Sequence, residues 1–251
     1  MNSKVKKIFT ITGLCFVLGI GGFAINANWQ NHPETPKLDA EYVQKDTQEH
    51  TKTIAKENVY SMPASASLAV DISNPDVLSS MCDGVVLATV DSIDGSNNYS
   101  EVSGEYVFPY TYGRITILES YKGDFPIGES VEFYRLGGTI SIDQYHAGLS
   151  EGELEKLSSL GENSMLNKSQ WVQRTISGDI EVEEGKTYLM YINPESAYYG
   201  KPNTYAIVGL QGGLREVQNV NTNKARSASD LKVLNNFTNQ WEDITSIIET
   251  E

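Results

Sequence analysis

Residues 112–138 read YGRITILESYKGDFPIGESVEFYRLGG. Ile115, Ile117 and Glu119 alternate with Arg114, Thr116 and Leu118, and this period of two with β-branched residues predicts a strand with one buried face. Tyr121-Lys122-Gly123-Asp124 ends that strand. Residues 126–129 supply the turn, and Val131 and Phe133 then alternate with Glu132 and Tyr134 on the way back. The prediction is a β-hairpin, with the other strands of one domain packed around it.

Working outward, residues 85–90 (VVLATV) form a short unbroken apolar run, which predicts a fully buried strand. Residues 75–80 suit a short turn of helix. Residues 94–98 (DGSNN) carry turn chemistry. Asp91 and Asp94 lack the alternating oxygen ligands and closing glutamate of a calcium loop, so this stretch is read as a turn rather than a metal site. Beyond the hairpin, residues 139–142 predict one more short strand. Ser150 with Glu153 fits a capping box, followed by Leu154, Leu157 and Leu160 at helical spacing and by Gly161 as the stop. Further strands are predicted at 171–176, 187–192, 205–208 and 214–217. Leu231, Leu234, Phe237, Trp241, Ile244, Ile247 and Ile248 recur at intervals that predict a C-terminal amphipathic helix.

The N-terminus differs from all of this. Lys4, Lys6 and Lys7 precede eighteen uncharged residues, 8–25. A basic start followed by an apolar run predicts an export signal or an anchor with its N-terminus inside, and the length suits both. Residues 1–27 are therefore read as signal peptide or membrane anchor, with contact to the membrane if the segment is kept. Residues 28–68 are polar and lack an apolar face, which predicts a flexible stalk. The folded domain is expected over 69–220, with a linker and the helix over 221–251.

The formal charge of −14 repels a phosphate backbone, so nucleic acid is not expected as a partner. Two cysteines occur, Cys15 in the apolar run and Cys82 in the domain, so an internal disulfide is not expected and Cys82 is read as a buried free thiol. With His32, His50 and His146 scattered, no zinc cluster or cofactor motif is visible. The nucleophile elbow, the paired-histidine zinc motif and the phosphate and dinucleotide loops are all missing from the sequence. A catalytic reading is left with exposed carboxylates such as Glu183 and Glu184, in the manner of a hydrolase.

The predicted element order is mainly β, with five or six strands and a helix between the third and fourth, as in an OB-type barrel. Residues 83–90 (DGVVLATV), 115–123 (ITILESYKG) and 184–192 (EGKTYLMYI) resemble the netrin-like, or tissue-inhibitor-of-metalloproteinase-like, OB domain found in bacterial exported proteins. The resemblance spans about residues 82–217 and implies a barrel with a binding role. It does not imply protease inhibition, because the inhibitors chelate zinc through an N-terminal cysteine and Cys82 lies far inside this chain.

On an OB-type barrel, ligands meet the second and third strands and the loops after the first and fourth. Tyr99, Tyr106, Tyr110 and Tyr112 fall in the first loop or the start of the second strand, and Tyr198 and Tyr199 in the loop after 187–192. Tyrosine supplies rigid contact area with a hydrogen-bonding tip, so these six are the candidate ligand-binding residues. The resulting expectation is an extracytoplasmic, non-enzymatic module, anchored or secreted, that binds an envelope protein or surface polymer. A hydrolase and a structural envelope spacer are the alternatives.

Overall fold

The computed structural model describes residues 58–159, 165–195, 203–218 and 230–248. The signal or anchor segment, most of the stalk, Leu160, Gly161, Tyr198 and Tyr199 lie outside the described residues. The central hairpin is longer than its apolar pattern. β2 (Gly84–Ser100) pairs antiparallel with β3 (Glu105–Lys122), and β3 pairs with β4 (Ser130–Leu136), setting Ile115 opposite Val131 and Gly113 opposite Phe133. Residues 94–98 do not turn. The strand runs through them with register shifts at Val90/Ser92, Ile93/Gly95 and Asn97/Tyr99, and the chain reverses at 101–104. Bulges of this kind absorb Gly and Asn inside a ladder without ending it.

β7 (Thr187–Pro194) pairs antiparallel with β2 along one edge. Its other edge is divided. Tyr188–Met190 pair with β9 (Leu214–Gln218), and Ile192–Pro194 pair with β8 (Thr204–Ile207). β8 also pairs parallel with β4, so the neighbours β7, β2, β3, β4 and β8 return to β7. Beyond β9 the sheet continues through β10 (Lys232–Asn235) to β11 (Gln240–Asp243), for eight strands where the sequence suggests five or six. A second sheet joins β1 (Val59–Ser61), β6 (Trp171–Arg174) and β5 (Gly138–Ser141). The ordered sheet thus begins at Val59, inside the stretch expected to be stalk.

β2 and β7 are apolar on both faces because both are covered. Val86, Ala88, Val90, Met190 and Ile192 face one core with Ile115, Ile117, Val131 and Phe133. Val85, Leu87, Leu189 and Tyr191 face the other, which is filled by Leu78 of α1 (Pro75–Met81), Leu210 of α5 (Leu210–Gly213) and the C-terminal segment. Two close backbone approaches require glycine. A Cβ on Gly113 would stand 2.1 Å from the Ser92 carbonyl oxygen, and one on Gly213 would stand 1.6 Å from that of Val208.

Among the described residues three helices lie between β5 and β6: α2 (Ile142–Ala147), α3 (Glu151–Ser159) and α4 (Met165–Lys168). At the start of α3 the Ser150 amide and hydroxyl both donate to the Glu153 carboxylate. α3 has no buried residue, and Leu154 is exposed.

The C-terminal amphipathic helix does not form. Residues 232–243 are the β10–β11 hairpin, and among the described residues after it α6 (Thr245–Ile248) is one short helix. The Asn235 side-chain oxygen accepts from the amides of Phe237 and Thr238, and Asn239 sits at φ +56°. Asparagine side chains compete with helical backbone bonds and tolerate left-handed geometry, so they turn the chain here. Val233 is fully buried against β9 and its surroundings, which makes the tail part of the domain rather than an appendage.

Candidate functional site

A cleft of about 260 Å³ lies between the β2–β3–β4 ladder and residues 175–182, which connect β6 toward β7. Strand register builds one wall. Ser96 on β2 stands opposite Thr111 on β3, and Thr111 stands opposite Arg135 on β4. Residues opposite one another in a ladder share a face, so the three form a row. Ser96 Oγ and Thr111 Oγ1 are 3.3 Å apart, the Thr111 hydroxyl donates to the Gly137 carbonyl, and the Thr139 amide donates to Ser96 Oγ. This network joins the large sheet to the first residues of β5. Ile93, Leu136, Ile176, Ile180 and Val182 supply the apolar lining.

Arg135 continues the inward parity of Val131 and Phe133 and is 3% exposed. Its Nη2 donates to Asp179 Oδ1 and to the Ile180 carbonyl. Its Nε and Nη1 are buried and meet no acceptor among the described residues. Leaving a buried donor unpaired costs about 1–3 kcal/mol, and more at a charged group. Asp179 also accepts from the amide of Ile180. Burial pushes the Asp179 carboxyl above its ordinary range, against the opposing pull of Arg135 and the Ile180 amide. A guanidinium keeps its proton even when buried, so the pair is a desolvated cation held beside a carboxylate that burial makes easier to protonate.

The four described candidate tyrosines differ in exposure. Tyr99 and Tyr106 pack edge to face at 5.4 Å near the end of the long hairpin, with Tyr106 exposed. Tyr110 is a core residue. It is 1% exposed, packs at 5.7 Å against Tyr134 and donates its hydroxyl to the Tyr99 carbonyl. Tyr112 is half-buried opposite Tyr134, and burial raises its phenol. All four lie on β2 and β3 rather than in a loop, because the bulged strands extend past the expected turn. Sequence reasoning missed Ser96, Thr111, Arg135 and Asp179. The available signal was an arginine at the parity of Val131 and Phe133.

Other chemistry is thin. Glu183 pairs with Lys186 at 2.9 Å on an exposed turn, beside exposed Glu184, so these carboxylates do not face each other across a cleft. Asp91 accepts from the hydroxyls of Thr116 and Ser130. Cys82 is a buried free thiol whose pKa burial raises. His146 sits on α2 beside Tyr145. Among the described residues no helix is long and apolar enough to cross a membrane. No family model matches the chain, and no curated protein matches it.

Proposed function

We propose that the chain is an exported, non-enzymatic binding module that recognises a protein or surface polymer through the cleft between β4 and residues 175–182. The observation that carries this reading is Arg135, buried at the cleft floor with two donors unspent. Binding sites pair mostly apolar walls with a few placed polar groups, and the row Ser96–Thr111–Arg135 against Ile93, Leu136 and Ile176 has that composition. An OB-type assignment is supported by the neighbour order β7, β2, β3, β4, β8 with one parallel pair, and by helices between β4 and β7. The address outside the cytoplasm rests on the basic and apolar N-terminal sequence.

The test is binding of the full-length protein to insoluble cell-wall polymer and to envelope proteins displayed singly. Ile93 is exposed at the cleft, so Ile93→Trp narrows it without disturbing the core. Wild type binds at least one target and Ile93→Trp loses it at an unchanged melting temperature. Equal binding by the two proteins would exclude the cleft.

A further inference from the structure

The cleft holds a cation whose charge is matched but whose hydrogen-bonding capacity is not. Asp179 neutralises Arg135, while Nε and Nη1 have no acceptor among the described residues. What the cleft lacks is therefore an acceptor atom, not a negative charge. The acid at its mouth sharpens that distinction. Glu181 lines it, an exposed carboxylate on a chain of formal charge −14. A carboxylate or phosphate would enter against this charge, whereas an amide carbonyl oxygen would not.

The walls narrow the choice further. Ile93, Leu136, Ile176, Ile180 and Val182 make an aliphatic lining, and among the described residues no aromatic ring lines the cleft to offer a flat face to a sugar. A volume of about 260 Å³ admits one aliphatic side chain with its peptide group rather than a folded surface. Both free nitrogens lie below the floor, so the wall has to yield as the acceptor enters. Residues 177–182 carry no helix or strand, and Gly178 is at φ +84°. This side of the cleft is held by the packing of Ile180 and Val182 and by the Arg135–Asp179 pair rather than by a ladder, and those are what an entering acceptor displaces.

We propose that the cleft takes an extended peptide segment, neutral or basic, seating one aliphatic side chain against Ile93 and Ile176 and giving the neighbouring carbonyl oxygen to Arg135. The proposal rests on the cleft being the recognition surface. It adds the ligand class and the atom that is read.

The probes are terminally blocked five-residue peptides, used with the full-length protein in neutral detergent. The first has a central leucine flanked by glycines and terminal lysines. The second replaces the lysines by glutamates, and the third replaces the leucine by serine. An oligomer of N-acetylglucosamine is the fourth. Fluorescence anisotropy should show the leucine–lysine peptide binding at least tenfold more tightly than the other three. The double variant Arg135→Gln with Asp179→Asn keeps shape while removing both charges, and should weaken that binding at least tenfold. Arg135→Lys keeps the charge, loses the Nε and Nη1 donors, and should weaken it similarly if the double variant does not fold.

Equal binding by wild type and both variants would overturn the role of Arg135. Preference for the sugar oligomer or the glutamate peptide would overturn the ligand class, as would no peptide binding at all. If Ile93→Trp still abolishes binding of a larger target while no peptide binds, the cleft stands and the peptide inference falls. If Ile93→Trp changes nothing, both fall.

Discussion

Arg135 and Asp179 are 44 residues apart in sequence, yet their side chains meet in an ion pair and are only 4% and 6% exposed. Such a pair contributes little when compared with an apolar replacement but is costly to break from one side. Asp179→Ala should therefore destabilise the domain by about 3–5 kcal/mol, because it strands the guanidinium. Arg135→Met with Asp179→Leu should recover most of that loss. Urea denaturation of the single and double variants measures both.

The same pair sets a pH dependence. Burial raises the folded-state pKa of Asp179 above its unfolded value, so the folded protein binds the proton more tightly. Stability contributed by that proton is present below the unfolded value, roughly pH 3.9, and is lost as pH rises through the folded value. Asp179→Asn cannot titrate. Its stability relative to wild type should rise with pH across that window and level off above it, as read from denaturant midpoints taken at a series of pH values.

Tyr110 and Tyr106 should differ in their response to truncation despite their closeness in sequence. Tyr110→Ala empties a core position and should cost about 3–5 kcal/mol, while Tyr110→Phe loses one hydrogen bond at about 1 kcal/mol. Tyr106→Ala, on the exposed hairpin end, should fall within roughly 1 kcal/mol of wild type. Thermal denaturation of the three variants decides whether the hairpin tyrosines act as core or surface.

The C-terminal hairpin predicts alternation that a helix would not. Val233 is fully buried and Leu234 is half-exposed. Val233→Asp should prevent folding or cost more than about 4 kcal/mol, and Leu234→Asp should cost about 1 kcal/mol. Similar losses at both positions would contradict the strand.

Two glycines separate crowding from backbone conformation. Gly128 has open space around its missing Cβ but sits at φ +80°, so Gly128→Ala should cost about 1–2 kcal/mol. In Gly213→Ala the new carbon would meet the Val208 carbonyl oxygen at 1.6 Å, a backbone atom that cannot rotate away. That variant should not reach the folded state, as circular dichroism would report.

Much of the ladder was legible because its residues declare their own surroundings. The unbroken run 85–90 indicates a strand covered on both faces, and β2 is one. Ile115, Ile117, Val131 and Phe133 likewise give the hairpin and its inner face. The tail was misread because spacings of three and four also fit a hairpin whose turn falls between Asn235 and Asn239. Local hydrogen bonds from Asn235, not the apolar pattern, decide that case. Residues 94–98 look like a turn because Gly and Asn favour turns, but a bulged ladder accommodates them equally well. The cleft was hidden for a different reason. Arg135 could be suspected from its parity, but nothing local connects it to Asp179, which reaches it only through the return of the chain from β6.

The divided edge of β7 has a consequence for self-association. With β2 on one side and β8 and β9 sharing the other, and with β8 held by β4 as well, the large sheet ends at the outer rim of β11. That rim is a strand of four residues ending in Glu242 and Asp243, which pair within the sheet with Arg215 and Lys232. So short an edge offers little backbone for an identical strand to pair with, so the sheet can stay open at this end without seeding fibres.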